Sequence, residues 1–156
     1  MAIKSFQGKR DTSQGKEDAQ ILVSDYMTKK LITFKAEDTL DHVIEQLITH
    51  KISGGPVVND KNDLIGIISE TDCIKHISES KYYNMPSDVN NTVGKYMATG
   101  VDTIDKNTNI FDAAFKFISS HRRRFPVVEN GKLIGQISQT DVLKAAISVK
   151  GNTWNS

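Results

Sequence analysis

The chain repeats itself, and that constrains its architecture more than any other feature. Val23-Ser24-Asp25-Tyr26-Met27 returns seventy residues later as Val93-Gly94-Lys95-Tyr96-Met97. At the same interval Thr33 matches Thr103, and Pro56-Val57-Val58 matches Pro126-Val127-Val128. One residue is then lost. Leu64-Ile65-Gly66-Ile67-Ile68-Ser69 becomes Leu133-Ile134-Gly135-Gln136-Ile137-Ser138, and Thr71-Asp72 becomes Thr140-Asp141. Two copies are too few for a solenoid, whose stacked units number about three or more. They specify a pseudo-symmetric pair that buries a shared face.

Both copies read as β-α-β-β-α. A short apolar strand comes first, over 31–34 and 101–104. The helix that follows is capped by Asp38 or Thr39 in the first copy and by Asn107 or Thr108 in the second. Leu40, Val43, Ile44, Leu47 and Ile48 fall on one helical stripe, as do Ile110, Ala113, Ala114, Phe117 and Ile118. Two strands follow, over 56–59 and 64–69 and over 126–129 and 133–138. Asn130-Gly131 is a two-residue hairpin signal. A closing helix starts near Thr71 and Thr140. The expected division is a flexible tail over 1–20, repeat 1 over 21–80, a linker over 81–92, repeat 2 over 93–149 and a tail over 150–156. Tyr82, Tyr83 and Met85 make the linker apolar enough to dock.

Charge and composition exclude several roles. Twenty Lys and Arg against nineteen Asp and Glu give a net charge of +1, too balanced for wrapping nucleic acid by charge. One cysteine, Cys73, forms no intramolecular disulfide framework and no cysteine-based zinc cluster. No run approaches the roughly 20 apolar residues of a membrane span, and Met1–Gln20 has no apolar signal core. The expectation is a cytoplasmic protein with neither a nucleic-acid nor a membrane partner. His42, His50, His76 and His121 have no metal-ligand spacing. No Walker loop, nucleotide-binding glycine fingerprint or nucleophile elbow occurs. No nucleophile, base and orienter converge, so an enzyme is not expected and neither catalytic nor metal residues are assigned.

Chemistry concentrates where the third strand of each copy passes into its closing helix. Ser69, Thr71 and Asp72, with Ser138, Thr140 and Asp141, lie beside free N–H groups that suit an anion such as phosphate. An aspartate there can also accept from vicinal ribose hydroxyls. Serine, threonine and aspartate are equally ordinary N-caps. Gly66 and Gly135 let something approach the backbone closely. Repeat 2 further carries His121-Arg122-Arg123-Arg124 where repeat 1 has Lys51-Ile52-Ser53-Gly54. Arginines entering a strand can bind phosphate bidentately, or form a solvated charged loop.

Over Val23 to about Val149 these residues resemble a tandem pair of CBS domains, named for cystathionine β-synthase and also called a Bateman module. The resemblance rests on the β-α-β-β-α repeat, the Pro-Val-Val strands and the Gly-x-x-Ser-x-Thr-Asp segments. It implies an α/β (α+β) fold whose two repeats pack sheet to sheet about a pseudo-two-fold axis. It implies two clefts for adenosine-containing ligands: AMP, ADP or ATP, with S-adenosylmethionine or NAD sharing the adenosine half. In the first cleft Ser138, Thr140 and Asp141 face Lys30, Ile32, Ile52 and Ser53. Asp141 there holds the ribose and the isoleucines flank the base. In the second, Ser69, Thr71 and Asp72 face Gly100, Asp102, Arg122 and Arg123. Arg124 reaches the phosphates near the axis. Asp102 stands where the first cleft has Ile32, a charge ill suited to an apolar base pocket, so the Asp141 cleft is expected to bind adenosine better. The family also implies a homodimer and a regulated protein partner whose identity the residues do not reveal. The alternative is a scaffolding module with degenerate clefts, bound constitutively to a protein.

Overall fold

The computed structural model describes residues 20–82 and 91–154, with side chains for 20–80 and 91–150. The N-terminal tail, the side chains of Tyr82 and Trp154, and Tyr83 and Met85 lie outside the described residues. Repeat 1 contains α1 (Val23–Tyr26), α2 (Leu40–His50), β1 (Gly54–Val58), β2 (Leu64–Ser69) and α3 (Glu70–Tyr82). Repeat 2 contains α4 (Val93–Tyr96), β3 (Ile104–Asp105), α5 (Ile110–Ser120), β4 (Arg124–Glu129), β5 (Lys132–Ser138) and α6 (Gln139–Trp154).

Local chemistry sets the boundaries. Thr39 caps α2 by accepting from the His42 N–H. In repeat 2 the cap is Asn109, which accepts from the Phe111 N–H, not the expected Asn107 or Thr108. Asn107 is held one turn earlier, donating its N–H to Asp105 Oδ1 at 2.7 Å. Both helices end on a left-handed residue, Lys51 at φ 53° and His121 at φ 58°. Asn130 and Gly131 have φ of 54° and 81°, the type I′ turn that matches strand twist. β1–β2 and β4–β5 are antiparallel hairpins, each with a register shift at its Val-Val pair.

The first strand of each repeat is nearly absent, contrary to the strands expected over 31–34 and 101–104. Only Phe34 bridges β1, at Val57, and only Ile104–Asp105 pairs with β4. The segment is already committed upstream. Thr28 and Gln136 of β5 exchange both backbone hydrogen bonds, at 2.8 and 2.9 Å. Ala98 and Ile67 of β2 do the same at 2.8 and 3.0 Å. The chain therefore spends residues 28–34 and 98–104 crossing from one repeat's sheet to the other's.

That crossing produces two cores where the repeat suggested one shared face. Val23 packs with Ile110, Phe125, Val127 and Ile137 of repeat 2. Val93 packs with Phe34, Leu40, Val57 and Ile68 of repeat 1. The exchange is reciprocal in the backbone too: the Val23 N–H donates to Thr108 O and the Val93 N–H to Asp38 O, both at 2.8 Å. At the hairpin ends the repeats also pair directly. Asp63 bridges Lys132, and Leu64 N–H to Gly131 O and Leu133 N–H to Asn62 O are each 3.1 Å.

Candidate functional site

The two strand-to-helix segments have nearly identical geometry. Asp72 Oδ2 accepts from Ser69 N–H at 2.9 Å and from its hydroxyl at 3.0 Å. Asp141 Oδ2 accepts from Ser138 N–H at 2.8 Å and its hydroxyl at 3.0 Å. Each serine hydroxyl in turn accepts from the aspartate N–H. These are reciprocal helix caps, so the ordinary structural role of the motif is present in both repeats. All of these bonds to each carboxylate fall on one oxygen, Oδ2.

The chain's own backbone occupies the space left by the two glycines. A Cβ on Gly135 would lie 2.7 Å from Met27 Sδ and 2.9 Å from Thr28 O. One on Gly66 would lie 2.6 Å from Met97 Sδ and 2.9 Å from Ala98 O. The close approach read from the sequence is real, and its partner is the leading segment of the other repeat.

A cavity of about 330 Å³ lies where the hairpins meet. Repeat 1 contributes Ser53, Gly54, Gly55, Pro56, Ile67 and Ser69; repeat 2 contributes His121, Arg122, Arg123, Arg124, Pro126 and Gln136. Three guanidiniums and no carboxylate line it, and the two serine hydroxyls come from the opposite repeat. The volume falls within the about 300–1,000 Å³ of small-molecule sites. The arginine run is held by its own helix start. Gln139 donates its N–H to Arg123 O at 3.1 Å and Nε2 to Arg122 O at 2.9 Å.

Of the residues expected to bind ligand, the cavity thus gathers Ser53, Ser69, Arg122, Arg123 and Arg124. Lys30, Ile32, Ile52, Thr71, Asp72, Ser138, Thr140 and Asp141 do not line it. Ile32 and Ile52 pack half-buried against the core of repeat 1; Lys30, Thr71 and Thr140 are exposed. Gly100 lines a different hollow, with Leu64, Ile65 and Val101. Asp102 does not face a base pocket as a lone charge. It pairs with Lys116 Nζ at 3.1 Å and with Arg122 Nε at 3.7 Å. The other seven lining residues were not expected as site residues: Gly54, Gly55, Pro56, Ile67 and Pro126, with His121, visible only as the start of the basic run, and Gln136, the counterpart of Ile67. Cys73 is buried, and burial first, then the Asp72 and Glu70 carboxylates, push its thiol above the ordinary value. It packs as a small apolar side chain. Among the described residues no cluster of three metal-ligating side chains occurs, and no helix is long and apolar enough to cross a membrane.

The chain resembles known proteins over most of its length. The CBS domain family matches residues 23–79 and 93–148. An uncharacterized protein of Methanocaldococcus jannaschii is 31% identical over 85% of this chain and 44% of its own length. The chloroplastic CBS domain-containing protein CBSX2 of Arabidopsis thaliana is 31% identical over 86% of this chain and 67% of its own. The chain therefore spans less than half of the archaeal relative and about two thirds of the plant one. The crystal structure of CBSX2 in complex with AMP matches at a TM-score of 0.72, covering 83% of this chain and 98% of that one. The CBS domain pair of protein MJ0100, in complex with 5′-methylthioadenosine and S-adenosyl-L-methionine, matches at 0.67 and 23% identity, covering 83% and 98%; that likeness concerns the fold. With both family matches falling on the two halves of the internal repeat, the chain belongs to the CBS family and carries two CBS domains in tandem.

Proposed function

We propose that this chain is a regulatory module that binds an adenosine nucleotide between its two CBS domains and signals by a change of conformation. The observation that carries this reading is the cavity between the repeats, with three arginines from one side and two serines from the other. Arginine suits phosphate because its planar fork donates in pairs. The complex of CBSX2 with AMP supports an adenine nucleotide as the ligand class. AMP, ADP or ATP fit the arginines by charge; S-adenosylmethionine and NAD share the adenosine half. Asp141 is assigned to the ribose of the first cleft, with Ser138 and Thr140 toward phosphate and Lys30, Ile32, Ile52 and Ser53 opposite. Asp72, Ser69 and Thr71 form the weaker equivalent. The arginines serve the phosphates from the axis. A ligand acts only through its different affinities for two conformations, and the crossing segments 28–34 and 98–104 tie each sheet's movement to the other. We read the module as non-catalytic and cytoplasmic, acting through a separate protein.

Thermal unfolding against AMP, ADP, ATP, S-adenosylmethionine and NAD tests this. A ligand at 100 times its Kd adds about 2.7 kcal/mol, which raises Tm by roughly 5–11 °C at this size. The expected result is a shift with a phosphate-bearing adenosine ligand that shrinks in Arg123→Ala. No shift with any of the five refutes the reading and favours the scaffold, which the ion pair between Asp102 and Arg122 would suit by offsetting one of the lining arginines from outside the cavity.

A further inference from the structure

The cavity between the repeats holds one residue of a type whose charge changes near neutral pH. His121 ends α5 as its left-handed cap, at φ 58°, and lines the cavity together with Arg122, Arg123 and Arg124. Histidine tolerates that backbone conformation better than most residues. The matching position of repeat 1, seventy residues earlier, is Lys51, also left-handed at φ 53°. Lys51 carries a permanent charge and does not line the cavity. The pseudo-symmetry therefore places a titratable residue on one side only.

The cavity has cations in excess of their partners. Arg122 has Asp102, at 3.7 Å. Among the described residues the guanidiniums of Arg123 and Arg124 and the ring of His121 have no hydrogen bond or ion pair, and Arg124 is half-buried. Repeat 1 lines the cavity with serine, glycine, proline and isoleucine alone, so nothing opposite His121 titrates. The carboxylates of adjoining elements are engaged elsewhere. Asp102 also pairs with Lys116, which in turn bonds Thr103 O. Glu70 lines the hollow between α2 and α3. Asp72 and Asp141 bind their capping serines. From the start of α6, Gln139 offers only a neutral amide, already bonded to Arg122 O.

We propose that His121 is a fourth ligand for the phosphates held in this cavity, and that its protonation makes their affinity rise as pH falls. Histidine gains its charge between about pH 8 and 5. A proton on His121 adds a positive charge beside the arginines, and by linkage proton and anion each favour the other. The inference deepens the nucleotide reading and takes its ligand, a phosphate-bearing adenosine, from it.

Calorimetric titration of the full chain at low salt tests it, at about pH 5.5 and about pH 8. His121→Asn removes the charge and His121→Lys makes it permanent; asparagine suits a left-handed cap, and lysine already occupies the matching one. ATP is the first probe. Its own phosphate titrates too, but equally for all three proteins, so the comparison is between variants at each pH. At the lower pH wild type is expected to bind ATP roughly three- to fivefold more tightly than His121→Asn, the scale of one exposed charge near a phosphate. At the higher pH the two should match, with His121→Lys tighter than both. A wild-type to His121→Asn ratio that is the same at both pH values overturns the assignment. Inorganic triphosphate, the second probe, needs the cavity and no adenosine contact. The same pH-dependent ratio with triphosphate, in a chain that does not bind ATP, would keep the role of His121 and refute the nucleotide reading. Failure of both probes to bind overturns both.

Discussion

Asp102 shows how a single side chain changes meaning between sequence and structure. In the sequence it is a charge at a position where its counterpart is Ile32. In the structure it is the counter-ion of Lys116 and Arg122. Both partners are substantially exposed, so the pair contributes little to stability, typically under about 1 kcal/mol. Its effect falls on the cavity, where it offsets one of three arginine charges. Asp102→Asn is expected to tighten binding of ATP by roughly three- to fivefold at low ionic strength, with the gain fading as salt screens the exposed charges. Titration calorimetry at two salt concentrations checks both parts; unchanged affinity at low salt would show that Arg122 does not meet phosphate. Asp141 and Asp72 are harder to separate because each also caps a helix. Removing either costs the unliganded chain about 1 kcal/mol. The assignment of adenosine to the Asp141 cleft therefore predicts similar losses of Tm but unequal losses of affinity, larger in Asp141→Ala. Nucleotide binding that survives Asp141→Ala and vanishes in Asp72→Ala would reverse it.

At the scale of elements, the glycines in β2 and β5 hold the crossing segments in place. Gly135→Ala would drive a methyl group into the Thr28 carbonyl and the Met27 thioether. Met27 can move, but Thr28 is bonded to β5 through both its N–H and its carbonyl. Overpacking of this kind costs about 1–3 kcal/mol, or a fall in Tm of roughly 2–12 °C, and Gly66→Ala should match it by pseudo-symmetry. A differential scanning measurement showing no change would mean that the crossing segment is not fixed at that strand. The hairpin ends form a second joint. Hydrogen bonds from Lys132 first, then from Asn59, hold the Asp63 carboxyl below its ordinary 3.8. A depressed folded-state value stabilises the native state above the unfolded value and is lost as pH falls through the folded one. The Tm difference between wild type and Asp63→Asn should therefore be present at pH 6 and fade below about 3.8. A difference that persists at pH 2 would place its origin outside this ion pair.

At the scale of the whole molecule, exchange of α1 and α4 makes each core depend on both repeats. Val23, fully buried, belongs to the core of repeat 2, and Val93, equally buried, to that of repeat 1. Residues 91–154 expressed alone are expected to show collapsed amide dispersion by NMR, because their core lacks Val23 and the pairing of Thr28 with β5. A well-dispersed spectrum would show that the exchange is dispensable. The sequence by itself determined the number of units, their helices and hairpins, the family and the Ser-x-Thr-Asp segments at the two closing helices. Those features are local or periodic: apolar spacing and a Ser-x-Thr-Asp cap repeated at a nearly constant interval, and an Asn-Gly turn in the second copy. It did not reveal that residues 28–34 would cross from one sheet to the other, pairing at Thr28 and Phe34 alone, that Asn109 rather than a neighbour would cap α5, or that His121 and Gln136 would share a cavity with Ser53 and Ser69. Nor did it reveal that Asp102 would find Lys116 and Arg122. Only the tertiary structure decided these, because each depends on which residues from distant parts of the chain are brought within hydrogen-bonding or van der Waals reach. A repeat interval read along one chain records matching positions and carries no information about which copy a segment packs against.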